Sequence, residues 1–209
     1  MARPTRAPRS PRAPAPPPAA RPAQSRAHQT EERRAQLLAL GKRIFSAHPY
    51  DVVSTELIAE EAGVSVGLLY HYFGNKKGYY VATIRAAADE VLAATRFPPG
   101  RPFGESALAA LAGFLAFVEA NSLLSQGLMR GGVGADPEVH TILEEVRTTV
   151  INRLGDAAGV SPGPALRLRV YAWLGLCEAA TLRWLQHREV TRDELLHLLV
   201  TSLPLLAEV

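Results

Sequence analysis

The tripeptide Gly63-Val64-Ser65 leaves the backbone few paths. Before it, Ser54 can cap a helix through "TELIAEEAG", in which Leu57, Ile58 and Ala62 face inward and Gly63 supplies a left-handed end. After it, Ser65 can cap a short helix over residues 66–73. A glycine turn, an apolar wedge and a cap between two short helices are the parts of a helix-turn-helix, in which the second helix is carried at a steep angle across the first.

The rest of the chain reads as helix after helix. Thr30 can cap a first helix whose opening turn holds Glu31 and Glu32, favourable against the helix dipole, and Leu37, Leu40, Ile44 and Phe45 mark one face of it. "HPYD", 48–51, breaks that helix, and Asn75 can cap a fourth running to about Arg96. "RFPPGRPFG", 96–104, separates a second set, placed at about 105–120, 121–131, 137–156, 163–187 and 192–207. Asp136-Pro137-Glu138 opens one of these with a cap, a first-turn proline and an early acid. Thr191 and Glu194 form a capping box for the last, and Pro204 kinks or ends it. There is no strand-like alternation and no internal repeat. The fold class expected is all-α: an N-terminal three-helix domain with the helix-turn-helix at 30–84, and a C-terminal helical bundle at 85–209.

Charge is distributed unevenly. Residues 1–29 hold Arg3, Arg6, Arg9, Arg12, Arg21 and Arg26 and no acid, so the remaining 17 of 23 basic residues face all 20 acids, a net of −3 against +3 for the whole chain. That tail also carries eight prolines and no large aliphatic side chain. It cannot bury enough apolar surface to offset its ordering entropy, and is expected to be disordered and locally polyproline-like. Two roles stay open for it, a solubilising extension or a basic arm attracted to phosphate without regard to sequence. It lacks the apolar segment of a secretory signal, although its Arg-rich, acid-free composition also suits an organelle transit peptide. The single Cys177 excludes an intramolecular disulfide framework and fits a reducing compartment. No run approaches 18 uninterrupted apolar residues, so no membrane span is expected.

On a helix over 66–73, Leu69 and Phe73 are four apart and share a face that can anchor to a core. Val66, Gly67, Leu68, Tyr70, His71 and Tyr72 then cover the remaining surface. So much aromatic surface away from the core face calls for a partner. Tyrosine hydroxyls, a histidine edge and Lys76 suit phosphate oxygens, and the helix N-terminus adds backbone donors. Gly67 lets the backbone approach another surface. Of Tyr79 and Tyr80, at least one belongs to the core.

The stretch "LIAEEAGVSVGLLYHYFGNKKGYY" resembles the DNA-binding region of TetR-type (tetracycline-repressor-like) transcriptional regulators. The shared shape is an Ile-Ala pair, Ala-Gly-Val-Ser, a glycine, Leu-Tyr, aromatic-Phe, and Asn-Lys before the next helix. "YAWLGLCEAATLRWL", 171–185, resembles their penultimate helix more loosely. The resemblance implies that Val66, Gly67, Leu68, Tyr70 and His71 face the major groove, while Ser54, Tyr72 and Lys76 contact the phosphate backbone. Ser65, at the start of the same helix, is grouped with these contacts. Two positions depart from the pattern. Valine and leucine stand at 66 and 68, where many relatives carry polar or basic groups and threonine. They cannot hydrogen-bond base edges but can pack on thymine methyls. "AHPYD" stands where a glycine usually turns the chain. The resemblance further implies a cytoplasmic homodimer paired through its last two helices, a pseudo-palindromic double-stranded operator, and a small-molecule effector, most often releasing a repressor.

Beyond Arg101 the chain is rich in Ala, Leu, Val and Gly with scattered bulky groups, which permits either a closed core or an apolar cavity. With the resemblance, Phe114, Phe117, Met129, Trp173 and Cys177 are the candidate cavity residues. "LMRGGVGADPE", 128–138, is a possible hinge. Gly175 and Ala179 give a close-approach face, and "ELLHLLVTSLPLL" is almost continuously apolar. The rival reading is an enzyme. It finds no nucleophile elbow, no His-x-x-x-His metal pair and no Walker-type loop, and the six histidines are scattered singly. Cys177 in an apolar helix reads as an inert buried thiol rather than a nucleophile. No catalytic residue, cofactor or metal is expected.

Overall fold

The computed structural model describes residues 23–98, 100–129, 136–161 and 163–203. Among them every regular element is helical: α1 (Ala23–Ala47), a single 3-10 turn (Tyr50–Val52), α2 (Thr55–Ala62), α3 (Val66–Phe73), α4 (Lys76–Ala94), α5 (Phe103–Ala120), α6 (Ser122–Met129), α7 (Pro137–Ala157), α8 (Pro164–His187) and α9 (Arg192–Thr201).

The caps explain most boundaries. The Ser54 Oγ accepts from the Leu57 amide at 3.0 Å, and the Ser65 Oγ accepts from Leu68 at 3.1 Å. Between them Gly63 takes φ 60°, ψ 39°, a left-handed conformation that suits glycine and ends α2. Asp136 caps α7 ahead of Pro137, and Thr191 with Glu194 closes a reciprocal capping box on α9.

Two boundaries differ from expectation. Helix α1 runs through Thr30 and back to Ala23, so residues 23–29 are helical; residues 1–22 of the basic tail lie outside the described residues. Pro22 is the last proline of the tail, and the Ala, Gln and Arg that follow it favour a helix more than a cap at Thr30 can oppose. The i,i+4 pair His28–Glu32, at 3.2 Å, spans the expected start. Helix α9 ends at Thr201, and Pro204 falls outside the described residues.

One buried cluster joins Leu37, Leu40, Ile44 and Phe45 of α1 to Ile58, Leu69, Tyr79, Tyr80 and Ile84. On α2, Ile58 and Ala59 are fully buried, whereas Leu57 and Ala62 are half-buried. Both Tyr79 and Tyr80 are core. The cluster also takes in Leu124, Val139 and Ile142 from α6 and α7, so packing continues across residue 84, which lies inside α4. A second cluster is built from α5, α7, α8 and α9 around Leu115, Trp173, Trp184, Leu195 and Leu199. Helix α5 is long and apolar enough to cross a membrane by length and composition, but here it buries Ala107, Ala110, Leu111, Leu115 and Val118 and packs on α4, α6 and α9.

One close approach sets how α4 sits on α1. The Tyr79 hydroxyl donates to the Leu37 carbonyl at 2.6 Å, reaching it past Gly41. A Cβ on Gly41 would lie 2.7 Å from Tyr79 Oη and 2.5 Å from Thr83 Oγ1. Gly41→Ala is therefore expected to lower stability by about 1–3 kcal/mol despite alanine's better helix propensity. Thermal unfolding checks it, with a melting temperature at or above wild type as the contrary result.

Candidate functional site

Helix α3 is pinned on one side and open on the other. Leu69 is buried, and Tyr72 and Phe73 are half-buried against the N-terminal cluster, Phe73 meeting Tyr79 edge-on at 4.9 Å. Gly67, Tyr70 and His71 are exposed, with Tyr70 showing 44% of its surface. Val66 and Leu68 are half-buried, so each offers only part of its side chain to a partner. The Tyr70 hydroxyl stands 3.5 Å from Thr55 Oγ1, and the His71 ring meets Tyr72 edge-on at 5.7 Å. A Cβ on Gly67 would meet nothing nearer than Ser65 Oγ at 3.9 Å. Packing within the chain does not require that glycine, which leaves a flat approach for something outside it.

Ser54 and Ser65 are both exposed, and their hydroxyls accept amide hydrogens as caps, the Ser54 side chain also hydrogen-bonding the Glu56 carboxylate and, after the Glu56 backbone amide, helping to lower its pKa. The two lysines opening α4 part company. Lys76 holds its ammonium 4.2 Å from the Tyr50 ring centroid, a cation–π contact on a partly exposed side chain. Lys77 turns to α7 and pairs with Glu138 at 2.8 Å and Asp136 at 2.9 Å. The Glu138 carboxylate first, and that of Asp136 next, raise the Lys77 pKa, and Lys77 in turn lowers that of Asp136. Ser54, Val66, Gly67, Leu68, Tyr70 and His71 thus lie on or beside one surface of α2 and α3, with Lys76 a turn beyond.

A cavity of about 180 Å³ lies between α4, α5, α6, α7 and α8, and Phe114, Phe117, Met129, Trp173 and Cys177 all line it. Helix α4 contributes Ile84, Ala87, Ala88 and Val91, so the helix that carries Tyr79 in the N-terminal core also forms a cavity wall. Trp173 donates its indole hydrogen to Ser202 Oγ at 3.0 Å, which leaves its ring to the lining. Burial, with Glu178 beside it, pushes the Cys177 thiol up to about 12.

Arg147 and Glu178 were missed by sequence reasoning and sit in the wall. Arg147 Nε and Nη2 donate to the two Glu178 oxygens at 3.0 and 2.9 Å, and Nη1 donates to Glu144. Burial opposes the charged guanidinium, but the carboxylates outweigh it and raise its pKa. The available signal was Glu178 itself, a lone acid inside the apolar run "YAWLGLCEAATLRWL". Among the described residues no three His, Cys, Asp or Glu gather as a metal site.

Two family profiles match the chain, "Bacterial regulatory proteins, tetR family" over residues 37–83 and "Tetracyclin repressor-like, C-terminal domain" over 103–205. The structure of a TetR-family transcriptional regulator from Streptomyces coelicolor is 32% identical, covers 85% of this chain and 82% of that one, and superposes with a TM-score of 0.78. The chain belongs to the TetR family. TetR-family proteins are DNA-binding transcriptional regulators that bind operators and act as dimers. The repressor KstR of Rhodococcus jostii is 27% identical over 116 residues, 56% of this chain and 55% of that protein. The activator FasR of Mycolicibacterium smegmatis is 33% identical over 66 residues, 32% of this chain and 30% of that protein. The chain thus spans about half or less of the length of the curated relatives it matches.

The raised thiol gives a direct check on the cavity wall. Below pH 9 native Cys177 carries almost no thiolate, so alkylation by iodoacetamide should be slow and should accelerate on unfolding, since the thiolate is the nucleophile. Rapid native labelling, followed by mass spectrometry, would contradict this burial.

Proposed function

We propose that α3 enters the major groove of a pseudo-palindromic operator and that the cavity binds a small apolar effector which shifts the protein between DNA-competent and DNA-incompetent states. The observation carrying this reading is the division of α3 itself, with Leu69 buried and Gly67, Tyr70 and His71 turned outward on a helix capped by Ser65. In it, Ser54, Ser65, Tyr72 and Lys76 hold the phosphate backbone, and Tyr70 and His71 meet base edges, with Val66 and Leu68 packing on thymine methyls. Residues 30–84 act as the DNA-binding unit and the remainder as the sensing and pairing unit, in the compartment where the operator lies. The protein acts by binding rather than by catalysis. Repression is the output we propose, in line with KstR, although FasR acts in the opposite sense.

Gel-shift titration of the gene's own upstream region tests the interface. Lys76→Ala should weaken binding by roughly tenfold for any sequence and lower the salt slope by about one. Tyr70→Ala and His71→Ala should relax discrimination between operator and unrelated DNA. Absence of saturable, salt-sensitive binding by the wild type would sink the reading.

Dimerisation is assigned to α8 and α9. Leu168, Ala172, Gly175, Leu176 and Ala179 form an exposed stripe on α8, Leu168 showing 70% of its surface, and Leu198 on α9 shows 51%. A Cβ on Gly175 would meet nothing within 4 Å, so the stripe is flat enough for a second helix to lie close. Leu168→Glu with Leu198→Glu should convert a dimer to a monomer in light scattering while keeping the helical circular dichroism signal. Unchanged dimer mass would place the interface elsewhere.

A further inference from the structure

We propose that the effector is a compact apolar molecule carrying a protonated amine, an inference that rests on the cavity being the effector site. The lining is aliphatic and aromatic but for a few groups. Thr95 Oγ1 donates to the Val91 carbonyl at 2.8 Å, and the Trp173 indole hydrogen is taken by Ser202. The charged side chains among the described lining residues are Arg147 and Glu178, with Glu144 behind them and the Tyr171 hydroxyl donating to Glu144 Oε1 at 3.2 Å.

These three ionised groups do not balance, since two carboxylates face one guanidinium, a net of −1. Arg147 has committed three of its five N–H groups to carboxylate oxygens, and each Glu178 oxygen takes one hydrogen and has room for another. Glu178 keeps about a third of its side chain accessible. The wall therefore keeps acceptor capacity on Glu178 and carries one negative charge in surplus. An ammonium would complete the Glu178 acceptor set and cancel the surplus charge. A carboxylate ligand would meet the Glu178 carboxylate in the lining, with Glu144 behind it, and would add a second negative charge to the surplus, with two remaining Arg147 N–H groups to receive it. An alcohol could donate but would leave the surplus charge in place. The apolar remainder suits a hydrocarbon body, and a volume of about 180 Å³ limits it to a compact one.

Calorimetric titration of the full chain at pH 7 with octylamine, 1-octanol and octanoate, which share one hydrocarbon body, tests the headgroup. Octylamine should bind at least about tenfold more tightly than octanoate after allowance for solvent screening, with octanol between them. Glu178→Gln should shrink that preference to near parity. Glu144→Gln, which removes one charge without touching the bidentate pair, should shrink it partly and serves if the first variant misfolds. Equal binding of the three probes, or tighter octanoate, overturns the amine assignment and leaves the cavity as an effector site. Ala110→Phe, which fills the cavity from α5, should abolish binding of every probe. Binding that survives this filling, or no binding of any probe to the wild type, fails the cavity reading itself and the amine assignment with it.

Discussion

The hydrogen bond from the Tyr79 hydroxyl to the Leu37 carbonyl holds the two longest elements of the N-terminal half in register. It lies in an apolar interior, where an unmade partner on either side would leave a polar atom without water. It exists because Gly41 carries no side chain to block the path, and Thr83 fills the space beside it, its own hydroxyl donating to the Tyr79 carbonyl at 2.8 Å. Around this contact Phe45, Tyr50, Phe73 and Tyr80 pack at edge-on and tilted angles, and Leu69 hangs α3 from the same cluster. The direction in which Tyr70 and His71 point is thus inherited from α1 and α4 rather than chosen by α3.

Helix α4 extends that dependence to the second half of the molecule. Its first turns belong to the aromatic cluster, and its later turns, from Ile84 to Val91, wall the cavity. It is tied laterally to α7 by Lys77 with Asp136 and Glu138 and by Arg85 with Glu145. A molecule that favours one placement of α4 relative to α7 need not touch α3 to re-aim it. The size of the effect is bounded by the difference in that molecule's affinity for the two placements. The exposed ion pairs add direction more than energy, being open to solvent and screened.

Local rules made much of this legible in the sequence. Ser54, Gly63, Ser65, Asn75, Asp136 and the Thr191–Glu194 box each act within four residues of themselves, so their meaning survives without knowledge of the fold. The limits of α2, α3 and α7 followed closely. The start of α1 did not, because a weak cap at Thr30 competes with the helix propensity of several residues before it. The aromatic face of α3 was readable from i,i+4 spacing, although Leu68 and Val66 proved half-buried where period alone leaves them outside. The cavity wall was readable only by residue type and family likeness. Arg147 and Glu178 stand 31 residues apart on different helices, and their pairing is a fact of tertiary packing that no local pattern encodes. The same is true of Lys77, whose neighbour Lys76 has an identical side chain but a different direction around α4.

The placement of α9 has a consequence for how such a chain is made. Leu195 and Leu199 are buried in the second cluster, and Arg192 binds Glu119 at 3.1 Å and the Ala112 carbonyl at 2.9 Å, both on α5. Helix α5 is the most lipid-like segment described, and α9 is the last described element to leave the ribosome. While the chain is being synthesised, α5 must wait without its cover, a hydrophobic surface open to chaperones, to membranes and to other nascent chains. The N-terminal helices have no such delay in their own cluster beyond α6 and α7. The part that holds α3 can therefore be largely assembled while the half that encloses the cavity is still vulnerable.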